Sequence, residues 1–158
     1  WRNILPSTLT ALATCSSAAA MSVNIDSTKK MGVSSDVAET TISLGTSFHK
    51  DGSVIGSVFK IMFLVYLFND IGNISIFKIM GIALVATLLV SAVPIGGGTI
   101  SEMMIITMLG YPVITLPILT IIATIIDAPA TVLNVVGDTA SSMLVSRIVD
   151  GKDWLNKS

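Results

Sequence analysis

The sequence predicts an all-α membrane protein in which two re-entrant helical hairpins alternate with two broken transmembrane helices as an inverted repeat. Of its 158 residues, 52% are hydrophobic and only 12% are charged, which is typical of membrane proteins and not of soluble domains. Residues 79–101 and 103–126 contain no charged side chain, and a bilayer core needs about 20 apolar residues per helix. Small or polar residues interrupt each of the apolar blocks near its middle.

Composition excludes several other classes of protein. Nine Lys and Arg residues are spread along a chain of formal net charge −1, which excludes a basic nucleic-acid surface. The single cysteine, Cys15, excludes a disulfide framework and a multi-thiolate metal site. Because His49 is the only histidine and no GxSxG or phosphate-loop motif occurs, we expect no enzyme and no cofactor. Since the sequence begins at Trp1 without an initiator methionine, we expect a piece of a longer protein.

The first element, residues 1–34, is predicted to be a re-entrant hairpin. Its apolar block is broken at residues 14–17, and it is flanked by Arg2 on one side and by Lys29 and Lys30 on the other. Basic residues mark the cytoplasmic side of a membrane, so we expect both ends of this block there. A segment that enters and leaves on the same side must turn back within the membrane.

The second and third elements are predicted to be a broken helix and a second hairpin. Residues 35–73 form an apolar block broken at residues 45–52, and residues 74–110 form one broken at residues 91–98. Irregular backbone at membrane depth is tolerated only where it is buried in protein or lines a watery cavity. The successive breaks therefore predict one shared polar site, with the second hairpin entering from the opposite face. Kinked helices in a soluble core are the alternative.

The last apolar element, residues 111–149, is predicted to be a transmembrane helix broken near Pro129. A short tail, residues 150–158, follows it, and the basic residues around this tail favour a cytoplasmic position. The whole pattern predicts a multi-pass protein of the plasma (inner) membrane, with membrane lipid and no nucleic acid among its partners.

A polar stripe runs along this last element. Asp127, Thr131, Asn134 and Asp138 are spaced i, i+4, i+7 and i+11, which keeps them on one face of a helix. Carboxylates inside a membrane are costly and normally face a cavity or a bundle interior, so the stripe favours a functional site. The alternative is that Asp127 caps a helix start and Asp138 lies at an interface.

The interruption in the second element offers ligands for a cation. His49, Lys50 and Asp51 lie at its centre, and unwound carbonyls beside a carboxylate suit a monovalent cation that must replace its water shell. A lone histidine is a poor transition-metal site. Serines at the first break and glycines at residues 96–98 offer backbone N–H groups to an anion, although glycines also serve helix packing.

Short motifs occur along the chain in a fixed order. They are Cys15-Ser16-Ser17-Ala18, Lys30-Met31-Gly32-Val33, Leu44-Gly45-Thr46-Ser47, Asp51-Gly52-Ser53, Val93-Pro94, Gly96-Gly97-Gly98, Asp127 and Asn134-Val135-Val136-Gly137-Asp138. With these motifs, nearly all of the chain resembles the C-terminal half of the dicarboxylate/amino acid:cation symporter family, the glutamate transporter family. The final Asn-x-x-Gly-Asp, seven residues after an Asp, is the most specific of them.

The resemblance implies the transport domain of an elevator-type secondary carrier. Such a carrier moves an amino acid or a dicarboxylate together with sodium ions or protons. Asp127 would hold the substrate ammonium, Asn134 with the serines would hold its α-carboxylate, and the second hairpin would be an extracellular gate. The implied substrate-binding residues are Ser16, Ser17, Val93, Gly97, Asp127, Thr131 and Asn134. The implied cation-binding residues, with one cation site at Asp138 and another at Asp51, are Gly45, Ser47, His49, Asp51, Asn134 and Asp138.

Three departures from the family pattern refine this expectation. Neither Ala130 nor Cys15 supplies the arginine that acidic-substrate members carry, so we expect a neutral amino acid as substrate. His49-Lys50 replaces an Asn-Met pair, and we interpret Lys50 as a tethered cation that replaces a coupling ion. The alternative without a function is that Lys50 extends to a water-filled cavity. The N-terminal scaffold domain, through which such carriers form homotrimers, is absent from the sequence. The alternatives are an acidic amino-acid or dicarboxylate symporter that uses Lys50, and a channel-like or non-transporting relative.

Overall fold

The computed structural model describes residues 2–91, 97–151 and 154–156. These residues form α-helices with two short 3-10 turns, Val113–Thr115 and Trp154–Asn156, and no strand occurs among them. The helices are α1 (Leu5–Thr14), α2 (Ser17–Lys29), α3 (Ser35–Phe48), α4 (Asp51–Leu67), α5 (Ile76–Ser91), α6 (Gly97–Leu109) and α7 (Leu116–Val149). The helical architecture is consistent with the predicted all-α membrane protein.

One described helical segment, Val113–Val149, is long and apolar enough to cross a membrane by length and composition. Shorter apolar helices cover Ile76–Leu89 and Thr99–Leu109. The predicted interruption of the second hairpin falls mostly on residues 92–96, which lie outside the described residues, as does Val93. Gly97 is the first residue of α6.

The break between α1 and α2 follows from two local features. Cys15 adopts a left-handed conformation with φ of 48° and donates its N–H to the carbonyl of Ala11, which ends α1. Ser16 is extended, and its side-chain oxygen accepts the N–H of Ala19, which starts α2 as an N-cap. The two helices then pack against each other.

The break between α3 and α4 is confined to His49 and Lys50. His49 has φ of −91° and ψ of 95°, an extended conformation, while its N–H still donates to the carbonyl of Gly45. The interruption predicted over residues 45–52 therefore exists, but most of that stretch is helical.

The predicted break near Pro129 is wrong, because α7 continues as one helix of 34 residues through that position. Proline removes one N–H donor and crowds the carbonyl four residues earlier. A long helix loses only that local bonding, and the turns on either side continue the i to i−4 ladder. The polar residues around Pro129 therefore mark a local perturbation of α7 and not the end of a helix.

The described chain divides into two compact units. The first contains the residues up to Asp51 together with those from Ala128 onward, and the second runs from Gly52 to Asp127. In the first unit, two small apolar clusters comprise Ala11, Ala20 and Val135, and Val33, Ala38 and Trp154. In the second unit, one larger core comprises Ile61, Leu64, Val65, Ile79, Ile82, Ala83, Ala86, Ile105, Ile106 and Leu119.

Candidate functional site

A cluster of ionisable side chains lies where α3 ends beside the C-terminal half of α7. His49 Nδ1 lies 3.0 Å from Asp138 Oδ1, so the imidazole N–H donates to that carboxylate. The opposite ring nitrogen, Nε2, lies 3.4 Å from Asp51 Oδ1. The Asp138 side chain is 1% exposed, whereas those of His49 and Asp51 are 40% and 48% exposed. The imidazole thus bridges a buried carboxylate and an open one.

The second oxygen of the Asp138 carboxylate, Oδ2, is buried and accepts no hydrogen bond from any described residue. A buried carboxylate oxygen without a partner is strongly unfavourable, because it has lost its water and gained nothing in exchange. Oxygen in this state is a suitable ligand for a hard monovalent cation. The cluster therefore fits the cation-binding role predicted for Asp138.

Two glycines allow this close approach of α3 and α7. A Cβ at Gly45 would overlap Asp138 Oδ1 and lie 2.8 Å from its Cγ. A Cβ at Gly137 would lie 2.8 Å from His49 Cε1 and 2.9 Å from Asp51 Oδ2. Any larger residue at either position would displace the carboxylates or the imidazole.

Lys50 and Ser47, which were also assigned to the cation site, are arranged differently from His49. The Lys50 side chain is half-buried and its ammonium interacts electrostatically with Asp138, but among the described residues it forms no ion pair. Ser47 is exposed, and its hydroxyl donates to the carbonyl of Ser43 one turn earlier, away from the cluster. His49, and not Lys50, therefore makes the direct contact with Asp138.

The polar stripe of α7 is mostly buried. Thr131 is 7% exposed, Asn134 is 3% exposed and Asp138 is 1% exposed. Asp127, which belongs to the second unit, is exposed. The polar stripe therefore lies on one continuous helix, and its first member, Asp127, is exposed.

The start of α2 carries the predicted serines. The Ser16 oxygen accepts the N–H of Ala19, and Ser17 is 8% exposed. The first N–H groups of a helix have no partner within the helix, and together with the helix dipole they favour an anionic group. This arrangement suits the carboxylate-binding role predicted for the serines.

Sequence reasoning missed the residue that joins α2 to α7. Asn24 is 1% exposed, its Nδ2 donates to the carbonyl of Val135 at 3.2 Å, and its Oδ1 accepts the Thr139 hydroxyl at 2.8 Å. This contact fixes the turn of α7 that also carries Asn134 and Asp138. A lone asparagine within a hairpin helix was the available signal, because a buried amide must find partners.

Sequence reasoning also missed a buried ion pair in the second unit. Lys60 of α4 lies with Nζ 4.0 Å from Glu102 Oε1 of α6, and the Thr120 hydroxyl donates to Glu102 Oε2 at 2.7 Å. In the sequence, Lys60 and Glu102 are only isolated charges in apolar runs. Their pairing depends on tertiary structure.

Asp70 joins the loop that follows α4 to the segment that follows α6. Its Oδ1 accepts Asn73 Nδ2 at 2.8 Å and its Oδ2 accepts the Tyr111 hydroxyl at 2.9 Å. These hydrogen bonds, first that of Asn73 and then that of Tyr111, lower the pKa of Asp70 below its usual 3.8. Burial and the contact with Asp70 raise the pKa of Tyr111 to about 12. The Tyr111 ring also stacks on Phe68, with centroids 4.4 Å apart.

Comparison with known proteins identifies relatives among transporters. An L-cystine uptake protein, TcyP, of Shouchella clausii is 26% identical over 141 residues, which are 87% of this chain and 30% of that protein. Neutral amino acid transporter A of Homo sapiens is 27% identical over 141 residues, 88% of this chain and 26% of that protein. The chain thus spans less than a third of the length of these curated relatives. No solved structure matches it.

The family comparison covers almost the whole chain. The sequence model of the sodium:dicarboxylate symporter family matches residues 1–148. The chain therefore belongs to the sodium:dicarboxylate symporter family, a family of membrane transporters and not of enzymes.

Proposed function

We propose that this chain is the substrate- and ion-binding half of a cation-coupled symporter for neutral amino acids, which works by elevator-type alternating access. The observation that carries the proposal is the buried Oδ2 of Asp138, which accepts no hydrogen bond from any described residue. A carboxylate in a membrane-embedded helix needs a positive partner, and a coupling ion is such a partner.

Asp138 with the backbone oxygens of Gly45 and Asn134 would hold one coupling cation, and Asp51 would contribute to a second. The close approach of Asp138 to Gly45 supports this set, because the carboxylate lies against the backbone of Gly45 with no room for a Cβ between them. His49 occupies only Oδ1. A bound cation would supply positive charge that neutralises the buried carboxylate and holds the end of α3 against α7. Sodium is the proposed ion, since the matching family is one of sodium symporters.

The substrate ammonium would bind Asp127, while Asn134 and the start of α2 at Ser17 would bind its α-carboxylate. Exposure of Asp127 supports the first role, because a binding carboxylate must be reachable. Val93 and Gly97 would belong to a gating second hairpin. The protein that contains this chain would be a homotrimer in the plasma membrane.

A neutral substrate is proposed because no guanidinium stands at Ala130 or Cys15. A side-chain carboxylate in a dry pocket needs a charged partner, and an arginine fork is the usual one. Lys50 favours a second candidate function, an acidic amino-acid or dicarboxylate symporter. Its ammonium is half-buried and in no ion pair among the described residues, so it could take a substrate carboxylate.

Uptake into vesicles tests the proposed function. The protein that contains this chain is reconstituted, and uptake of labelled L-serine is measured with and without an inward sodium gradient. We expect a saturable rate that the gradient increases. Conductance that does not saturate would instead identify a channel, and serine binding without flux would identify a non-transporting relative.

A further inference from the structure

Helices α1 and α2 contact α7 through a buried amide and a small apolar cluster. Asn24 of α2 is 1% exposed, and its side chain spans one turn of α7. Its Nδ2 donates to the carbonyl of Val135 at 3.2 Å, and its Oδ1 accepts the Thr139 hydroxyl at 2.8 Å. Ala11 of α1 and Ala20 of α2 cluster with Val135. Apolar packing and directional hydrogen bonds therefore act on the same turn of α7.

These two kinds of contact differ in how well they fix the position of a helix. Apolar packing between small side chains is not directional, so it tolerates a small shift of one helix along the other. Hydrogen bonds weaken steeply when their distance or angle changes, and a buried amide that loses its partners is costly. A single buried asparagine can for this reason fix the register of two helices. The Asn24 amide therefore defines where α2 lies along α7.

Asn24 lies between two segments with proposed binding roles. Along α2, Ser17, Ala20 and Asn24 are spaced i, i+3 and i+7, which places them on one face of the helix. Ser17 is the first residue of α2, where the substrate α-carboxylate is proposed to bind, and seven helical residues span about 10 Å. The turn of α7 that the amide bridges, residues 135–139, contains Asp138 of the proposed cation site.

We propose that Asn24 is a positioning residue that couples substrate binding to cation binding, because its amide holds the start of α2 in register with the turn of α7 that carries Asp138. This inference rests on the proposed function of both segments. A cation that orders this turn of α7 also orders α2 through the amide, and by linkage the bound substrate favours the cation equally. Loss of the amide should therefore reduce the coupling between the two ligands.

Calorimetric titration of L-serine into the purified protein that contains this chain measures this coupling. Serine affinity is determined at saturating sodium chloride and in choline chloride of equal ionic strength, and the ratio of the two affinities is the readout. We expect a ratio on the order of tenfold for the wild type and a fall to about one- to threefold for Asn24→Leu. In this variant the Thr139 hydroxyl keeps the Val135 carbonyl, 3.1 Å away, as an acceptor. The substitution therefore leaves that hydroxyl with a partner.

A matched pair of variants tests the same contact from α7. Thr139→Val removes the hydroxyl that Asn24 accepts, whereas Thr139→Ser keeps it. The valine variant should lower the ratio as Asn24→Leu does, and the serine variant should keep the wild-type ratio. Thr120→Val is the control, because it removes the hydrogen bond to Glu102 in the second unit. It should lower the thermal unfolding midpoint and leave the ratio unchanged.

Three outcomes decide between the possibilities. A wild-type ratio in both Asn24→Leu and Thr139→Val, with only a lower unfolding midpoint, would show that the amide is structural and that the proposal is wrong. A fall in the ratio for Thr139→Ser or Thr120→Val as large as that for Asn24→Leu would also overturn it. A wild type that binds no amino acid, or whose binding does not respond to sodium, refutes the proposed function itself and this inference with it.

Discussion

Gly45→Ala is the change that most directly perturbs the carboxylate cluster through packing. The new Cβ would overlap Asp138 Oδ1 and lie 2.8 Å from Cγ. Asp138 is 1% exposed and bonded to His49, so it cannot move aside without losing that contact. Overpacking of this kind costs about 1–3 kcal/mol. If the displacement falls on the cation site, the same free energy weakens sodium binding about 5- to 150-fold.

Gly81→Ala is the matched control, because it also replaces a helical glycine but its Cβ would have no neighbour within 4 Å. Loss of glycine from a helix stabilises by about 0.5–1 kcal/mol, and the control measures this gain alone. The assay is the sodium concentration that gives half-maximal L-serine binding, with thermal unfolding in parallel. If Gly45→Ala matches Gly81→Ala in both measurements, the steric reasoning at Asp138 is refuted.

Three further predictions concern charge. Because Ala130 and Cys15 supply no guanidinium, neutral amino acids such as serine, threonine or alanine should outcompete aspartate and glutamate in a competition assay. Because the Lys50 ammonium acts on Asp138, Lys50→Met should steepen the sodium dependence of substrate binding in titrations at several sodium concentrations. Because the folded-state pKa of Asp70 is lowered, the stability it contributes is present above pH 3.8 and is lost as the pH falls through the folded-state value. Tyr111→Phe should therefore be less stable than the wild type near neutral pH and approach it in acid, as measured by unfolding midpoints.

Each of these has an outcome that contradicts it. Aspartate or glutamate outcompeting every neutral amino acid would overturn the substrate prediction. Loss of dicarboxylate binding at every sodium concentration in Lys50→Met would show that the lysine binds substrate and is not a tethered cation. A stability difference for Tyr111→Phe that is constant from neutral to acid pH would show that the Asp70 carboxylate is not the source of its effect.

Much of the fold could be predicted because local chemistry determines it. The end of α1 at Cys15 and the start of α2 at Ser16 follow from residues that terminate and cap helices. The predicted break at Pro129 is wrong, because a proline inside a long helix perturbs the helix locally and does not end it. Helix propensity alone does not show whether the packing on both sides of the proline outweighs one lost backbone hydrogen bond.

The candidate site likewise combines residues that could be predicted from the sequence with contacts that could not. Asp138 and Asp51 were identifiable from their motifs and from the rarity of carboxylates in apolar segments. The bridge through His49 could not be predicted, because it depends on how closely α3 approaches α7. Partners far apart in the sequence, such as Lys60 and Glu102, likewise become neighbours only through tertiary packing.

The measurement that tests the central claim most directly is L-serine binding across a series of sodium concentrations for the wild type, Asp138→Asn and Asp127→Asn. The wild type should bind more tightly as sodium rises, because ion and substrate affinities are linked. Asp138→Asn should lose most of this sodium dependence, whereas Asp127→Asn should bind serine weakly at every concentration and leave cation binding largely intact. Identical, salt-independent losses in both variants would contradict the account, because they would show that the polar stripe is only structural.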